Sequence, residues 1–375
     1  MEIVGKIVLT GGPCAGKTTA LARIEKNLTE LGYKVFIVSE SATELIKGGI
    51  RPFGDRPIDI IKFQSLIINH QLSKEKIYEE AALSIDEKSV IIYDRGFLDN
   101  KAYIDYKIFK KLLKEKDLCE LDLLDNYDMV IHLVTAADGK AEYYTLANNE
   151  ARSESVEEAI ELDRRTANAW AGHNNLKIVD NSTDFDAKID RVLFEVNSLV
   201  NPHKRIKQQR KFIVDIGDAE LELINNLAST TINITQTYIE SSKDIYERRI
   251  RERRHGQDIT HFMTVQKKKE NGVSDVLLDK KISSKEYESL LTSSSDVRTI
   301  NKTRISFIYK KNVYRLDIFE SGLAILELDI TEGSNKLELP KGLNIIEEVT
   351  EKEEFRNFVL ANSSVPVHKL SKSST

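Results

Sequence analysis

The stretch KIVLTGGPCAGKTT, residues 6–19, decides the fold of the first half of the chain. It opens with a short aliphatic run typical of a buried strand and passes into Gly11-Gly-Pro-Cys-Ala-Gly-Lys-Thr18, which satisfies the pattern Gly-x-x-x-x-Gly-Lys-Thr/Ser. Between a strand and a helix, such glycines let backbone N–H groups turn toward a phosphate, and the helix amino end adds partial positive charge. The stretch therefore predicts a phosphate-binding loop, with a plain glycine turn as the alternative.

Each part of this loop has a predicted role. We expect the Lys17 ammonium to reach the β- and γ-phosphates and the Thr18 hydroxyl to bind Mg²⁺. ATP is the predicted nucleotide, with GTP as the alternative, and Mg²⁺ is the predicted cofactor. Cys14 is interpreted as a small loop residue rather than a nucleophile. The residues predicted to contact the nucleotide here are Gly11, Gly12, Pro13, Cys14, Ala15, Gly16, Lys17, Thr18 and Thr19.

The two halves of the chain on either side of about residue 200 have different sequence patterns. In the first half, short apolar runs alternate with longer helix-like stretches, which predicts an α/β P-loop domain with a parallel sheet and helices on both faces. In the second half, strand-length segments with period-2 alternation predict a mainly antiparallel β-barrel. We expect domains at residues 1–200 and 204–361, followed by a disordered tail at 362–375 that is rich in Ser and Lys.

Length, charge and cysteine content limit the class of protein. The chain has 375 residues, enough for two domains, and its formal net charge of −5 gives no global positive field that would draw it to nucleic acid or anionic lipid. Its 2 cysteines fit neither a disulfide framework nor a zinc cluster, which favours the cytoplasm. We expect no secretory signal and no membrane span, because no apolar run is long enough. The oligomeric state is left open.

Charged residues follow two other predicted strands. Glu40 comes after the strand Lys34–Val38, where a carboxylate can act as a base or orient an acceptor hydroxyl; a helix cap or surface acid is the alternative. Asp94 and Arg95 follow a hydrophobic strand at residues 89–93. Asp94 is predicted to take Mg²⁺ through water and Arg95 to meet the acceptor or the transferred phosphoryl group. A structural Asp–Arg pair is the alternative.

Further side chains in the first half are candidates for substrate contacts. Arginines are the usual stabilisers of the loose transition state of phosphoryl transfer, so the helical region at residues 148–170 is predicted to act as a lid. Its arginines are Arg152, Arg164 and Arg165, each with a solvated helix charge as the alternative. The residues predicted to contact an acceptor anion are Arg51 and Arg56. Those predicted to line a nucleotide base, or else to form a plain turn, are Asn181 and Thr183.

Motifs spread over residues 1–200 resemble a known family. They are Gly11–Thr18, Asp94-Arg-Gly96 with Asp99 and Tyr103, residues 127–133 (YDMVIHL), Asn148-Asn149 with Arg152-Ser-Glu154, Trp170-Ala-Gly-His173 and residues 180–185 (DNSTDF). With these motifs the first half resembles the small AAA-labelled P-loop family related to nicotinamide riboside kinase. The resemblance implies an ATP-dependent kinase-like domain and leaves the phosphoryl acceptor open.

The second half carries charges at alternating positions of its predicted strands. Period-2 geometry sends Arg249, Arg251 and Arg253 to one face of a strand. Later strands repeat the pattern in the pairs Arg304 with Ser306, Arg315 with Asp317, and Glu327 with Asp329. Several such strands predict a barrel with a polar lumen, in which arginines hold a polyphosphate and carboxylates hold divalent ions that activate water. A solvent-exposed sheet face is the alternative.

A second resemblance covers about residues 204–361. Its motifs are residues 209–214 (QRKFIV), Arg249-Ile-Arg251, Tyr314-Arg-Leu-Asp317, Leu326-Glu-Leu-Asp329 and Glu348-Val-Thr350. They resemble the CYTH, or triphosphate tunnel metalloenzyme, superfamily. The resemblance implies a tunnel that binds polyphosphate through Lys211, Arg249, Arg251, Lys268, Arg304 and Arg315. It also implies Mg²⁺ or Mn²⁺ at Glu327 and Asp329.

This half departs from that superfamily at the opening motif. The superfamily begins with Glu-x-Glu-x-Lys, whose carboxylates bind the metal, whereas this chain has Lys207-Gln-Gln209-Arg-Lys211. Gln266 stands where the superfamily has lysine, and Lys268 on the same face is its expected substitute. The metal site is expected to be absent or rebuilt from Asp317, Glu327, Asp329 and Glu348. Together, the changes favour polyphosphate or nucleotide binding with weak or altered hydrolysis.

Three classes of function are compatible with these patterns. The first is a kinase-type phosphotransferase acting on a small metabolite or a nucleotide-type acceptor, with a barrel that binds a polyphosphate or phosphorylated ligand. The second is a triphosphate or nucleoside-triphosphate hydrolase whose chemistry takes place in the barrel. The third is a nucleotide-regulated binding protein. A nucleic-acid partner is disfavoured by the sequence pI of about 5.9 and by the absence of basic patches interleaved with aromatic residues.

Overall fold

The computed structural model of the chain describes residues 2–140, 142, 155–201, 209–239, 246–268, 274–295, 297–329 and 338–361, without the side chains of residues 246, 268 and 274–276. These residues form two units, the first ending at Asn201 and the second containing the described residues from 209 onward. Residues 148–154 of the predicted lid and the predicted tail at 362–375 lie outside the described residues. The predicted domain limits stay predictions.

A five-stranded parallel sheet forms the centre of the first unit. Its strands are β1 (Glu2–Gly11), β2 (Lys34–Val38), β3 (Lys88–Asp94), β4 (Met129–Leu133) and β5 (Leu176–Val179). They lie in the order β2-β3-β1-β4-β5, and every neighbouring pair is parallel. Because the carboxyl ends of parallel strands lie at one edge of a sheet, the ends of β1 and β3 meet there, with Leu9 opposite Asp94.

Helices cover both faces of this sheet. They are α1 (Lys17–Glu30), α2 (Ser41–Lys47), α3 (Ile60–Leu83), α4 (Tyr106–Glu115), α5 (Glu120–Leu124), α6 (Val156–Ala169) and α7 (Phe185–Val200), with a 3₁₀ turn at Phe97–Ala102. Ile24 of α1 and Val192 of α7 share one core with the aliphatic residues of β1 and β4. Val8, whose side chain alternates with those of Ile7 and Leu9 along β1, lies beside Gly96 together with the Trp170 ring. Burial from both faces is what all-parallel strands require.

A nine-stranded antiparallel sheet dominates the second unit. Its strands are β6 (Gln209–Asp215), β7 (Thr230–Ile239), β8 (Tyr246–His255), β9 (Asp258–Lys268), β10 (Ser274–Ile282), β11 (Val297–Tyr309), β12 (Asn312–Phe319), β13 (Ala324–Asp329) and β14 (Asn344–Glu348). They lie in the order β10-β9-β8-β7-β11-β12-β13-β6-β14. The helices of this unit are α8 (Asp218–Asn225), α9 (Ser284–Ser293) and α10 (Asn357–Leu360).

Alternate residues of these strands lie on opposite faces of the sheet, one apolar and one largely charged. Phe212, Phe307, Leu316 and Leu326 point to one face and share an apolar core with Ile224 of α8. The residues between them are largely charged and form the opposite face. The predicted fold class, an α/β P-loop domain followed by a mainly antiparallel β domain, is confirmed; closure of the second sheet into a barrel stays a prediction. Among the described helices, none combines the length and the apolar composition that crossing a bilayer requires.

Candidate functional site

The phosphate-binding loop begins where β1 ends at Gly11 and finishes where α1 begins at Lys17. Three residues of this stretch have positive φ: Gly11 at 145°, Cys14 at 55° and Gly16 at 91°. A Cβ at Gly16 would lie 2.7 Å from the Phe185 ring, so glycine is required there for space as well as for φ. The predicted strand–loop–helix context is therefore present.

The Lys17 ammonium is folded back over the loop. Its Nζ donates to the carbonyl oxygens of Gly11 at 3.3 Å and Gly12 at 3.4 Å. Burial, with a smaller effect from the nearby Arg95 guanidinium, lowers the pKa of Lys17 from 10.5 to about 8. Hydrogen bonds of this length are weak, so phosphate oxygens can replace them.

The affinity for ATP should fall as the pH rises through about 8. A lysine with this lowered pKa is protonated below that value and neutral above it, and only the ammonium attracts phosphate. For one controlling group, the affinity at pH 9 would be about tenfold below that at pH 7. Calorimetric titration of ATP across this range measures the decline. Lys26→Ala, which alters an exposed residue of α1, should keep it, whereas a flat wild-type profile would contradict the prediction.

A buried carboxylate on α6 holds the loop from the side. Asp163 Oδ1 accepts hydrogen bonds from the Gly12 N–H at 2.7 Å and the Thr135 N–H at 3.1 Å, and Oδ2 lies 3.2 Å from His132 Nε2. Burial would raise the pKa of Asp163, but His132 and the hydrogen bonds hold it below its usual value. Asp163 was not predicted from the sequence. Its one signal is an acidic residue on the inward face of α6, among alanines and a threonine.

Asp94 and Thr18 offer oxygen atoms beside the loop. Asp94 Oδ1 is buried and has no hydrogen-bond partner among the residues that the structure describes, and burial raises the pKa of this carboxyl. Thr18 is exposed in the first turn of α1. Carboxylate and hydroxyl oxygens are the ligand types that a hard divalent cation prefers. The two residues therefore fit the predicted cation, and the orphaned Asp94 oxygen is the observation that supports the fit.

Arg95 and Glu40 form an ion pair close to Lys17. Arg95 Nε donates to Glu40 Oε1 at 2.5 Å, and both side chains are largely buried. The Arg95 backbone is left-handed, with a φ of 68°, a strained conformation that occurs preferentially at functional sites. Burial opposes ionisation of Glu40, yet Arg95 and Lys17 together hold the pKa of this carboxyl below its usual value. Glu40 is therefore a charged carboxylate next to the phosphate-binding lysine.

Asp99 fixes the turn that carries Arg95. Its carboxylate accepts hydrogen bonds from the Thr10 hydroxyl, from the Gly96 N–H at 2.7 Å and from Trp170 Nε1 at 3.4 Å. A Cβ at Gly96 would lie 2.6 Å from the Trp170 ring, so only glycine allows the turn to pass this ring. The sequence analysis named Asp99 and Trp170 only as parts of a family motif. Their contacts assign them a positioning role.

The two predicted lid arginines that the structure describes lie on the exposed surface of α6. Arg164 is exposed, and its Nε and NH2 donate to Glu161 at 2.8 and 2.6 Å, so it forms a pair on the helix surface. Arg165 is also exposed. Arg152 lies outside the described residues. A catalytic role for any of them stays a prediction.

The remaining predicted contacts of the first unit are peripheral or structural in this state. Arg51 and Arg56 are exposed in the segment between α2 and α3. Asn181 Nδ2 donates to two backbone carbonyls of the segment after β4, at 2.8 and 2.9 Å, so it ties that segment to the end of β5. The Thr183 hydroxyl accepts from Arg191 at 3.2 Å. Their contacts with an acceptor or a base stay predictions.

In the second unit, one face of the sheet gathers charged side chains from several strands. Arg249, Arg251 and Arg253 occupy alternate positions of β8, and the strand register brings further charges to the same face. We call this set the ionic face. Its members are Lys211, Glu247, Arg249, Arg251, Arg253, Asp279, Lys302, Arg304, Arg315, Asp317, Glu327 and Asp329.

Two carboxylates of the ionic face are bridged by Arg304. Its Nε donates to Asp317 Oδ1 at 2.6 Å, and its NH2 donates to Glu327 Oε2 at 3.1 Å. Lys211 Nζ lies 3.2 Å from the other oxygen of Glu327. Burial would raise the pKa of Glu327, but Lys211 and Arg304 hold it far below its usual value. Both carboxylates are therefore charged and paired.

Lys302 is a member of the ionic face that the sequence analysis missed. Its Nζ pairs with Asp317 and lies 5.5 Å from the centroid of the Phe319 ring. Burial lowers the pKa of Lys302 to about 8. The available signal was its position two residues before Arg304, which places both side chains on the same face of β11.

The metal ligands predicted on this face are already engaged. Asp329 Oδ1 accepts from Gln209 Nε2 at 3.0 Å and lies 2.5 Å from Arg315 NH2. Glu348 instead pairs with Arg210, whose Nε donates to it at 2.8 Å. Within the described ranges, no group of three His, Cys, Asp or Glu side chains could hold a metal ion. Paired carboxylates surrounded by ammonium and guanidinium groups do not fit a divalent cation.

Around Arg251 on β8, positively charged side chains outnumber the carboxylates that act on it. Arg251 NH2 donates to Asp279 Oδ1 at 2.9 Å and to the Thr264 hydroxyl at 3.3 Å. Burial is the main cause that lowers the pKa of Arg251 to about 10; Asp279 opposes the shift, and the neighbouring Arg249 and Arg253 add to it. The side chain of Lys268, the last predicted tunnel residue, lies outside the described part of β9.

Solved structures of other proteins resemble parts of this chain. An inorganic triphosphatase is 24% identical with a TM-score of 0.31, over 43% of this chain and 97% of its own. A hypothetical protein is 27% identical with a TM-score of 0.29, over 42% and 98%. A protein from Pyrococcus horikoshii OT3 is 17% identical with a TM-score of 0.27, over 34% and 80%. At such TM-scores, neither fold nor activity is transferred to this chain.

A family model gives the more direct comparison. No curated protein sequence matches the chain. The model of the family described as AAA domain matches residues 6–188, which run from β1 into α7 and include the phosphate-binding loop, Glu40, Asp94 and Arg95. Over residues 6–188 the chain is therefore similar to the AAA domain family, and its phosphate-binding loop lies within the matched part.

Proposed function

We propose that the first unit is an ATP-dependent phosphotransferase of the kinase type, acting on a small metabolite or a nucleotide-type acceptor. The observation that supports this most directly is the charged Glu40 carboxylate, paired with Arg95 at 2.5 Å close to the phosphate-binding Lys17. A carboxylate at this place can receive the proton of an acceptor hydroxyl as the phosphoryl group is transferred to it. The resemblance to the nicotinamide riboside kinase-related family supports the same class.

In this proposal each residue of the site has a distinct role in phosphoryl transfer. The loop amides and Lys17 bind the β- and γ-phosphates. Glu40 orients the acceptor hydroxyl and takes its proton, and Arg95 stabilises charge that develops on the transferred phosphoryl group. Thr18 and Asp94 are the residues that would hold Mg²⁺, which when bound neutralises phosphate charge. Asp99 and Asp163 keep the Arg95 turn and the loop in position.

The acceptor is identified by its product. The full-length chain is incubated with ATP, Mg²⁺ and a panel of nucleosides, nucleotides, polyols and small phosphorylated metabolites, and product masses are measured. A gain of one phosphoryl group on a single compound supports the proposal. ATP turnover that is equal with every compound and with none would refute it.

Replacing Glu40 with glutamine should lower kcat for the identified acceptor by about 100-fold or more, because an amide cannot accept the hydroxyl proton. The KM for ATP should change little, since the loop and Lys17 remain. Glu30→Gln, on the exposed end of α1, is the matched control and should leave kcat unchanged. An unchanged kcat in Glu40→Gln would remove the proposed base.

A second function is proposed for the other unit, on a separate observation. The three alternate arginines of β8 and the excess of positive charge around Arg251 favour binding of a polyphosphate or phosphorylated ligand on the ionic face. A planar guanidinium can donate two parallel hydrogen bonds to two oxygens of one phosphate, and partial burial strengthens each of these contacts. Calorimetric titration of tripolyphosphate tests this function.

A further inference from the structure

We propose that the ionic face binds a chain of phosphates directly, without a divalent cation, through the arginines of β8. This inference rests on the polyphosphate-binding function proposed above and goes beyond it by stating how the ligand is held. It also separates this face from a metal-dependent hydrolytic site. Three sets of contacts carry it.

The first set concerns the carboxylates. Asp317 is shared by Lys302 and Arg304, and Glu327 is shared by Lys211 and Arg304. A divalent cation would have to displace these ammonium and guanidinium groups, which are themselves largely buried and would lose their partners. Leaving a buried charge unpaired costs several kcal/mol. The acidic residues therefore hold the basic ones in place rather than a metal.

The second set concerns the amide at the start of β6. Gln209 lies opposite Asp329 in the β6–β13 ladder and donates its Nε2–H to that carboxylate at 3.0 Å. The side chain thus acts as a donor at this position, and Arg315 NH2 lies 2.5 Å from the same oxygen. The amide N–H of Gln209 and the guanidinium of Arg315 therefore both contact one oxygen of Asp329. They stabilise the negative charge of this carboxylate and oppose the approach of a metal cation.

The third set concerns the arginines of β8. Residues two apart on a strand lie about 6.6 Å apart, so the row from Arg249 to Arg253 extends over about 13 Å. That length suits a chain of phosphates better than a single phosphate. Arg249 Nε and Arg251 Nε are buried without a hydrogen-bond partner among the described residues, so each retains a donor for a ligand.

Magnesium should then oppose binding rather than promote it. Mg²⁺ complexed by a phosphate chain neutralises part of its charge, and the positive potential around Arg251 attracts the less charged complex more weakly. Affinity should also fall with rising salt, because direct charge–charge contacts between partly exposed groups are screened.

The test uses full-length Lys17→Ala protein, in which binding at the phosphate loop is disabled. Calorimetry with tripolyphosphate in EDTA should show saturable binding, and added Mg²⁺ should weaken it several-fold. Arg251→Gln in the same background should lower the affinity tenfold or more. Arg254→Gln is the matched control, because Arg254 lies on the same strand but on the opposite, exposed face, where it pairs with Glu252. Circular dichroism verifies that each variant folds.

Each outcome decides the proposal. Binding in EDTA that depends on Arg251 and not on Arg254 supports it. Binding that requires Mg²⁺ would overturn it and leave the polyphosphate-binding function standing, whereas no binding under either condition would overturn both. ATP is titrated in parallel, since a phosphate chain can come from a nucleotide or from an inorganic polyphosphate. The tighter of the two ligands in EDTA identifies the source.

Discussion

Replacing Lys17 with alanine should lower ATP-dependent turnover by at least about 100-fold, the loss expected when a main electrostatic contact to the transferring phosphates is removed. Lys17 is the ammonium of the phosphate loop, and its present contacts are two weak hydrogen bonds to the carbonyls of Gly11 and Gly12. No other lysine belongs to the loop at residues 11–18. The measurement is ATP consumption and product formation with the identified acceptor.

The control for this variant is Lys26→Ala, a change of the same type on the exposed side of α1. It should turn over ATP at the wild-type rate. The same pair of variants separates the two units: tripolyphosphate hydrolysis that survives in Lys17→Ala would place chemistry in the second unit. Wild-type ATP turnover in a folded Lys17→Ala protein would refute the proposed site.

The phosphate loop was predictable from the sequence because its function depends on residues close together in the chain. Glycines at fixed spacing, a lysine and a threonine occur within eight positions, and the aliphatic run before them identifies the strand. Glu40, Asp94 and Arg95 could also be proposed, since each follows a predicted strand and parallel strands present their carboxyl ends at one edge. Their pairing across the β2 and β3 ends could not be derived, because it depends on side-chain conformations.

Asp163 and Asp99 could not be identified by the same reasoning. Asp163 contacts Gly12, which is 151 residues earlier in the chain, and Asp99 contacts Thr10, which is 89 residues earlier. Nothing local distinguishes such a carboxylate from a solvated helix charge until helix packing turns it inward. Asp163 was therefore missed and Asp99 was named only within a family motif, whereas the roles proposed for Glu40, Asp94 and Arg95 stay predictions.

In the second unit, the sequence predicted which charged residues share a face of a strand, but it could not predict which of them form ion pairs. A strand's period of two places Arg249, Arg251 and Arg253 together, but the partner of each charge depends on the register with neighbouring strands, and a shift of one residue would exchange the faces. Lys302 and Asp317 meet only because β11 and β12 pair with Arg304 opposite Asp317.

The register gives the second unit a residue on which its stability should depend strongly. Asp317 is almost fully buried and accepts charge-assisted hydrogen bonds from both Lys302 and Arg304. Asp317→Asn removes the negative charge and leaves two buried cations with an amide between them. Removing one member of a buried ion-pair group costs about 3–5 kcal/mol. We expect the unfolding transition of the second unit to move down by roughly 10 °C, as measured by calorimetry.

The pH dependence distinguishes an electrostatic origin of this loss from a packing defect. Burial would raise the pKa of Asp317, but Arg304 and Lys302 hold it below its ordinary value of 3.8, so the stabilisation is complete above that value and is lost as the pH falls. The difference between wild type and Asp317→Asn should therefore shrink below about pH 4. Asp215→Asn, on an exposed end of β6 in the same sheet, should change stability little at any pH. A deficit in Asp317→Asn that stays constant down to pH 2 would show that lost packing, and not the lost charge, destabilises this variant.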